Sequence, residues 1–467
     1  MWIRRATEGL ESKPVIQSLQ SATVLEKDNG GPVVKNFFPL LFLVYVPGGS
    51  GLAQQQIYET RTLTTITNKQ ASCSPTQTSP TCLVANIAQA TAKATINSAG
   101  AVVPALTSPG GGYIYAPAVT VTGVTCSVNP VLTTTIQSAP SPLNAFLTAS
   151  GGWGIVTGVS SGGSGCTGTP NVTIAAPGPG NMTRLRFSVQ PGTNSNRWIC
   201  DSSIQFIVDG TTHTAPLGIM FNTYATGPCG GAPQFMGTTP RFQITELSSG
   251  AFAGQIGFMI PFNHSLQVNY VPYVSSSGAS QSATGTGLLW SQVDYYTGAI
   301  PTGVYPRTDQ TFHMNLIPLG TTVNAYNSID LLPVVSGAGR LNSIQLLVQM
   351  AVPSGQGPSF PFLEGLLPVY LDGVPWAYNG TEDAFCGSGY FLSLPGFFNG
   401  PDSCGVTALG PFGVGLLSAD MFRFFDSNPM IFNKSLRVSW NNGMSGAGSY
   451  NPGQVTIAAL VTYYTNP

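Results

Sequence analysis

The chain has 467 residues, 7% of them charged, with a formal net charge of −1. That balance offers no basic surface to draw nucleic acid, and no stretch reaches the ~20 consecutive apolar residues of a membrane-spanning helix. Its 56 glycines and 37 prolines fit short strands joined by turns, over a length that suggests two or three domains.

Phe37 to Val46 form a short apolar run after Lys35, followed by small residues ending at Ala53. This reads as a signal-peptide core and cleavage region inside a leader of residues 1–53. It predicts a secreted or periplasmic product with no membrane contact once the signal is removed; a buried hydrophobic strand is the other reading of the run. Residues 54–70 read as an extended arm. Residues 71–177 contain no Asp or Glu, and only Lys93 among Lys and Arg. SPGGGYIYAPAVTVTG (108–123) echoes SSGGSGCTGTPNVTI (160–174): a Gly-rich turn, a proline, then alternating Val and Thr. Alternation with β-branched residues predicts strands with one buried face. The stretch is read as an additional Gly/Ser/Thr-rich β-module, inserted or appended, that serves as a spacer, a sugar binder or an oligomer contact.

From residue 178 the runs RLRFSVQ, IQFIVDG, LQVNYVPYV, LLWSQVDYY, IQLLVQMAV, LRVSWNNG and VTIAALVTYY predict many strands, with LLSADMFRFF (416–425) the best short helix candidate. By pattern alone, two jelly rolls and one large sandwich fit equally. Eight cysteines fall in four successive pairs, Cys73/Cys82, Cys126/Cys166, Cys200/Cys229 and Cys386/Cys404. None has metal-ligand spacing, so four disulfides in an oxidising compartment are the simplest reading.

The three histidines, His213, His264 and His313, stand at no metal-ligand spacing, and no nucleophile elbow or nucleotide-binding motif accompanies them. No cofactor is implied. Carboxylates are rare, and four of them, Glu364, Asp372, Glu382 and Asp383, crowd into FLEGLLPVYLDGVPWAYNGTEDAF. Aromatics stack on sugar faces and paired carboxylates run glycoside hydrolysis; a strand pair with solvated acids is the other reading. Asp372, in an Asp-Gly pair, reads as a hairpin residue.

The LEG, LDG and GTED-F blocks resemble the central motif of glycoside hydrolase family 172, formerly domain of unknown function family 2961. GPGNMTRLRFSV, APLGIMF, LLWSQVDYY and FRFFDSNPMIFNKSLRVSWNNG are similar to further blocks of that family in the same order, over about residues 178–467. The resemblance implies an all-β double jelly roll with the β-module N-terminal to it, assembled as a homotrimer or hexamer. It implies a retaining enzyme acting on α-fructofuranosides or α-D-arabinofuranosides, with Glu364 as nucleophile and Glu382 as acid/base. Asp383, Trp376, Tyr378, Phe385, Arg184 and Arg340 are the expected substrate contacts. The chain departs from the family pattern at Leu366 and Leu367, Ala384, Ile219 and Arg340. A noncatalytic sugar-binding or self-assembling, capsid-like double jelly roll is the rival reading.

Overall fold

The computed structural model describes residues 64–70, 82–113, 116–136, 156–190, 202–222, 242–247, 251–257, 259–271, 288–297, 309–351, 360–377, 380–386, 404–411, 416–425, 429–443 and 453–467. The expected leader lies outside them. In chain order the first strands are β1 (Thr64–Gln70) and β2 (Cys82–Ile87). Then come β3 (Thr91–Ile96), β4 (Val102–Ser108), β5 (Val119–Thr125), β6 (Thr134–Ile136), β7 (Val156–Val159) and β8 (Thr167–Ile174). The chain continues with β9 (Gly180–Gln190), β10 (Ser203–Val208), β11 (Thr211–Pro216), the helical turn α1 (Leu217–Met220), β12 (Phe242–Leu247), β13 (Ala251–Ile256), β14 (Ile260–Phe262), β15 (Leu266–Val271) and β16 (Leu288–Thr297).

The second half repeats this plan. It runs β17 (Thr311–Val323), β18 (Ser328–Ser336), β19 (Gly339–Ala351), a 3-10 turn (Pro361–Glu364), β20 (Val369–Leu371), β21 (Val374–Ala377) and the helical turn α2 (Thr381–Ala384). It ends with β22 (Cys404–Pro411), β23 (Leu416–Phe424), β24 (Met430–Phe432), β25 (Ser435–Asn441) and β26 (Val455–Thr465).

Strand order identifies the architecture. One sheet of the second half runs β17-β26-β19-β23-β22 and the facing one β18-β25-β20-β21. Lettering β17, β18, β19, β20, β21, β23, β25 and β26 as B to I gives B-I-D-G facing C-H-E-F, the strand order of a jelly roll. The first half has β1-β16-β9-β13-β12 facing β11-β10-β15-β2, the same two sheets with β1, β2, β9, β10, β11, β13, β15 and β16 as B to I. The chain is an all-β double jelly roll.

Two features of this order differ from the sequence reading. The jelly-roll region begins before residue 178, because β1 pairs along its length with β16 and β2 with β15. The Gly/Ser/Thr-rich segment is an insertion between the second and third lettered strands of the first sandwich, β2 and β9. Its strands form three two-stranded sheets, β3-β4, β5-β8 and β6-β7, and Cys126 and Cys166 are joined by a disulfide. At its neck the Gln89 side-chain amide donates to the Ile174 carbonyl. Tyr113 Oη accepts from the Ala90 amide at 2.7 Å and donates to the Ala175 carbonyl at 3.0 Å, so the entering and leaving chains lie side by side. The glycines of SPGGG are required there: a Cβ on Gly111 would sit 2.4 Å from the Asn86 carbonyl oxygen, and Gly112 has φ +79°.

Each sandwich has its own core. Ile204, Phe206 and Val208 alternate inward on β10 as a half-buried strand should. Leu436, Val438 and Trp440 do so on β25. The strand β19 is buried on both faces along nearly its whole length: Ile344, Leu346 and Val348 enter the second core, while Leu347 joins the cluster of the first sandwich. β23 behaves alike, with Leu417, Ala419 and Met421 facing one core and Phe422 and Phe424 the other. It is a strand, not the helix expected from LLSADMFRFF; burial on both faces removes the polar alternation that marks a strand in sequence. Among the described residues no helix is long and apolar enough to cross a membrane.

Candidate functional site

The two segments bearing Glu364 and Glu382 lie against each other. The 3-10 turn ends at Glu364, and Gly365 follows in extended conformation. The Gly365 carbonyl accepts both the Thr381 amide (2.5 Å) and the Thr381 hydroxyl (2.9 Å), and Leu366 bridges Gly380. Trp440, fully buried on β25, donates its indole N–H to Thr381 Oγ1 at 2.9 Å. Gly365 is dictated by packing, since a Cβ there would lie 1.8 Å from the Asn441 carbonyl oxygen. The far end of α2 is held by Arg423 Nη1, which donates to the Ala384 carbonyl at 2.6 Å, and by the disulfide Cys386–Cys404.

Glu364 is exposed at the end of its turn, Asp383 is exposed, and Glu382 is half-buried. Trp376 on the edge strand β21 is 46% exposed; Tyr378 lies outside the described residues. The other expected sugar contacts are engaged elsewhere. Phe385 is fully buried in the second core, so its ring faces other side chains rather than a ligand. Arg184 sits on β9 of the first sandwich and forms an ion pair with Asp294. Arg340 is buried at the start of β19 with its guanidinium 5.2 Å from the Tyr464 ring centre. Of the expected disulfides two are present, Cys126–Cys166 and Cys386–Cys404; Cys73, Cys200 and Cys229 lie outside the described residues, as does the side chain of Cys82.

The same construction occurs in the first sandwich, a duplication that reading the sequence for motifs missed. There the Ser202 carbonyl, just before β10, accepts the Leu217 amide at 2.7 Å, as Gly365 accepts Thr381. Tyr270 on β15 stands where Trp440 stands on β25, and its hydroxyl donates to Ser202 Oγ at 3.0 Å. LGIMFN (217–222) superimposes in role on TEDAFC (381–386). Phe221 and Phe385 are both fully buried. Asn222 and Cys386 both take positive φ, 53° and 66°. The positions of Glu382 and Asp383 are Gly218 and Ile219 in the first half.

Other positions correspond as closely. Asp209 and Asp372, at φ 49° and 56°, each precede a positive-φ glycine in the β10–β11 and β20–β21 turns. Asp209 accepts the amides of Asn263, His264 and Ser265; Asp372 accepts those of Asn433, Lys434 and Ser435. The backbone bonds to Lys434 and Ser435 hold the Asp372 carboxyl below its ordinary range. The legible signals were VDYYT (293–297) against VTYYT (461–465), and FNHSL (262–266) against FNKSL (432–436).

The halves meet through one of these elements. α1 is buried against β19 and β26, and Gln345 of β19, fully buried, donates to the Ile219 and Met220 carbonyls at 3.1 and 2.6 Å. Beside it Tyr464 Oη donates to the Met259 carbonyl at 2.7 Å. His213 of β11 lies edge-on to Phe312 (5.5 Å between ring centres) and to His313 (6.2 Å), and His313 stacks on Tyr463. Burial, reinforced by the neighbouring His313, pushes His213 down to about 4.

No family model matches the chain, and no curated protein matches it. Among solved structures it is similar to a chain of Sulfolobus Turreted Icosahedral Virus, at 12% identity and TM-score 0.28, over 61% of this chain and 83% of that one. It is also similar to a chain of the Sputnik virophage (9%, TM-score 0.22, 75% and 86% covered) and to the mavirus major capsid protein (8%, TM-score 0.21, 74% and 86% covered). These scores are too low to carry an argument about function, and the fold rests on the strand order above.

Proposed function

We propose that the protein is a structural subunit that assembles with copies of itself, a capsid-like double jelly roll. One observation carries this reading: the outer face of the B-I-D-G sheet of the second jelly roll, bearing Gln345, Leu347, Phe422 and Leu460, is buried under the first jelly roll. The fold thus already serves as a block that docks on a second block of the same design, and head-to-tail docking of like blocks builds rings or lattices. The duplicated turns support it further. The GTED-F block has a counterpart without carboxylates, LGIMFN, so its geometry belongs to the jelly roll and requires no chemistry at Glu382. The purified protein is expected to have a mass several times 48.7 kDa in light scattering, as a trimer or hexamer, with ring-like or shell-like particles in electron micrographs. A monomer at every concentration tested would overturn the reading.

The Gly365–Thr381 hydrogen bonds, which place the Glu364 and Glu382 turns side by side, favour a second reading: a retaining furanosidase. It requires the two carboxyls to approach to ~5–5.5 Å with one of them protonated at working pH. Release of nitrophenol from α- and β-furanosides, abolished in both Glu364→Gln and Glu382→Gln, would establish it. Absence of turnover, or turnover indifferent to both substitutions, would remove it.

A further inference from the structure

The duplication gives each half one male and one female element, and among the described residues one of each meets inside the chain. The male element is the helical turn after β11 or β21. The female element is the outer face of the strand pair β19-β26 or β9-β16. In the chain α1 of the first half occupies β19-β26 of the second. The turn α2 of the second half presents Asp383 to solvent, and β9 of the first half presents Arg186 to solvent.

The registers make the correspondence residue by residue. Gly180 pairs with Phe262 and Thr297 as Gly339 pairs with Phe432 and Thr465. Both strand pairs shift register soon afterwards, one at Asp294/Tyr295 and one at Leu341/Ser343. Counting from the glycines, Arg184 falls on Ser343 and Asp294 on Thr462; the first pair is the ion pair already described, the second a 2.6 Å hydroxyl–hydroxyl hydrogen bond. Arg186 falls on Gln345, the residue that holds the Ile219 and Met220 carbonyls. Asp383 falls on Ile219. At the buried seam within the chain, therefore, a neutral amide meets an apolar turn. At the corresponding exposed positions a guanidinium stands where the amide stands, and a carboxylate where the isoleucine stands.

We propose that α2 of one copy docks on the β9-β16 face of a second copy, with Asp383 meeting Arg186, repeating between chains the seam that joins the two halves within one. This rests on the self-assembly reading and names its contact surfaces. The complementary charges sit in different halves of the chain, so the contact is head-to-tail and propagates until it closes. Charged pairs at such a rim set partner choice and association rate, whereas the permanent seam inside the chain needs no such steering and is built from apolar groups and backbone acceptors.

Charge reversal tests it on the full-length protein. Asp383→Arg and Arg186→Asp are each expected to raise the apparent dissociation constant of the oligomer about tenfold or more in sedimentation velocity, and the double variant to restore it. As a second readout, Asp383→Cys combined with Arg186→Cys should give disulfide-linked multimers on a non-reducing gel, which neither single variant gives. An oligomeric wild type whose mass is indifferent to both reversals, with no cross-link in the double cysteine variant, overturns this interface while leaving self-assembly intact. A wild type that is monomeric throughout overturns the assembly reading itself.

Discussion

His213 shows how one buried side chain can make the seam between the halves sensitive to acid. It packs on Phe312 and His313 across the junction, and burial favours its neutral form, lowering its pKa to about 4. In the unfolded chain an imidazole takes up its proton near pH 6.5. The unfolded state therefore binds more protons as the pH falls from 6.5 toward 4, and stability that is complete above pH 6.5 is lost across that window. His313, lowered by the same burial, adds to the loss. The expected loss is on the order of 1–3 kcal/mol, read as a shift in urea midpoint between pH 7.5 and pH 4, and His213→Phe should flatten it. A midpoint equally pH-dependent in that variant would exclude His213 as the source.

The elements show why some of this was legible in sequence and some was not. Asp-Gly in LDG gave away its hairpin, because type I′ geometry needs two residues that tolerate positive φ, and Asp372 and Gly373 supply them. The carboxylate also gathers the amides of the β24–β25 turn, and its lowered pKa makes this a stability contribution present above the ordinary Asp pKa and lost as pH falls through the depressed one. Asp372→Asn is accordingly expected to lower the melting temperature by a few degrees at pH 7 and to approach wild type at a pH low enough to protonate Asp372. An equal deficit at both pH values would assign the effect to shape rather than charge. β23 was illegible for the opposite reason, since with cores on both faces its sequence carries no polar alternation. The sugar-contact assignment failed at Phe385 because an aromatic beside carboxylates looks alike in sequence whether it lines a cleft or fills a core. Here it fills the core at the place Phe221 takes in the other half.

At the scale of the whole molecule, the all-β class and the separate character of the Gly/Ser/Thr-rich segment were legible in strand spacing, turn residues and the abrupt loss of charge, whereas strand pattern alone left two jelly rolls and one large sandwich open and only the family resemblance pointed to the former. The duplication was not legible, because only a few positions keep their identity between halves. Those that do, such as the Tyr-Tyr-Thr ends of β16 and β26 and the Asn-x-Ser-Leu turns, lie at register shifts and turns, some of them reaching the cores as Leu266 and Leu436 do, while much of the remaining core volume is met by different combinations of side chains. The place of the insertion was hidden for a related reason: β1 and β2 precede it by sequence but complete the first sandwich by pairing with β15 and β16, and nothing local to them announces such distant partners.

The neck at Tyr113 and Gln89 makes the two halves unequal in content. Both are jelly rolls of one design, and among the described residues the three-sheet module belongs to the first. In any closed circle of these chains the halves would alternate, with and without the module, so a ring with six nearly equal sectors would present the module's surface at just half of them. A receptor, antibody or neighbouring ring reading that surface would meet the periodicity of the chain, not that of the fold.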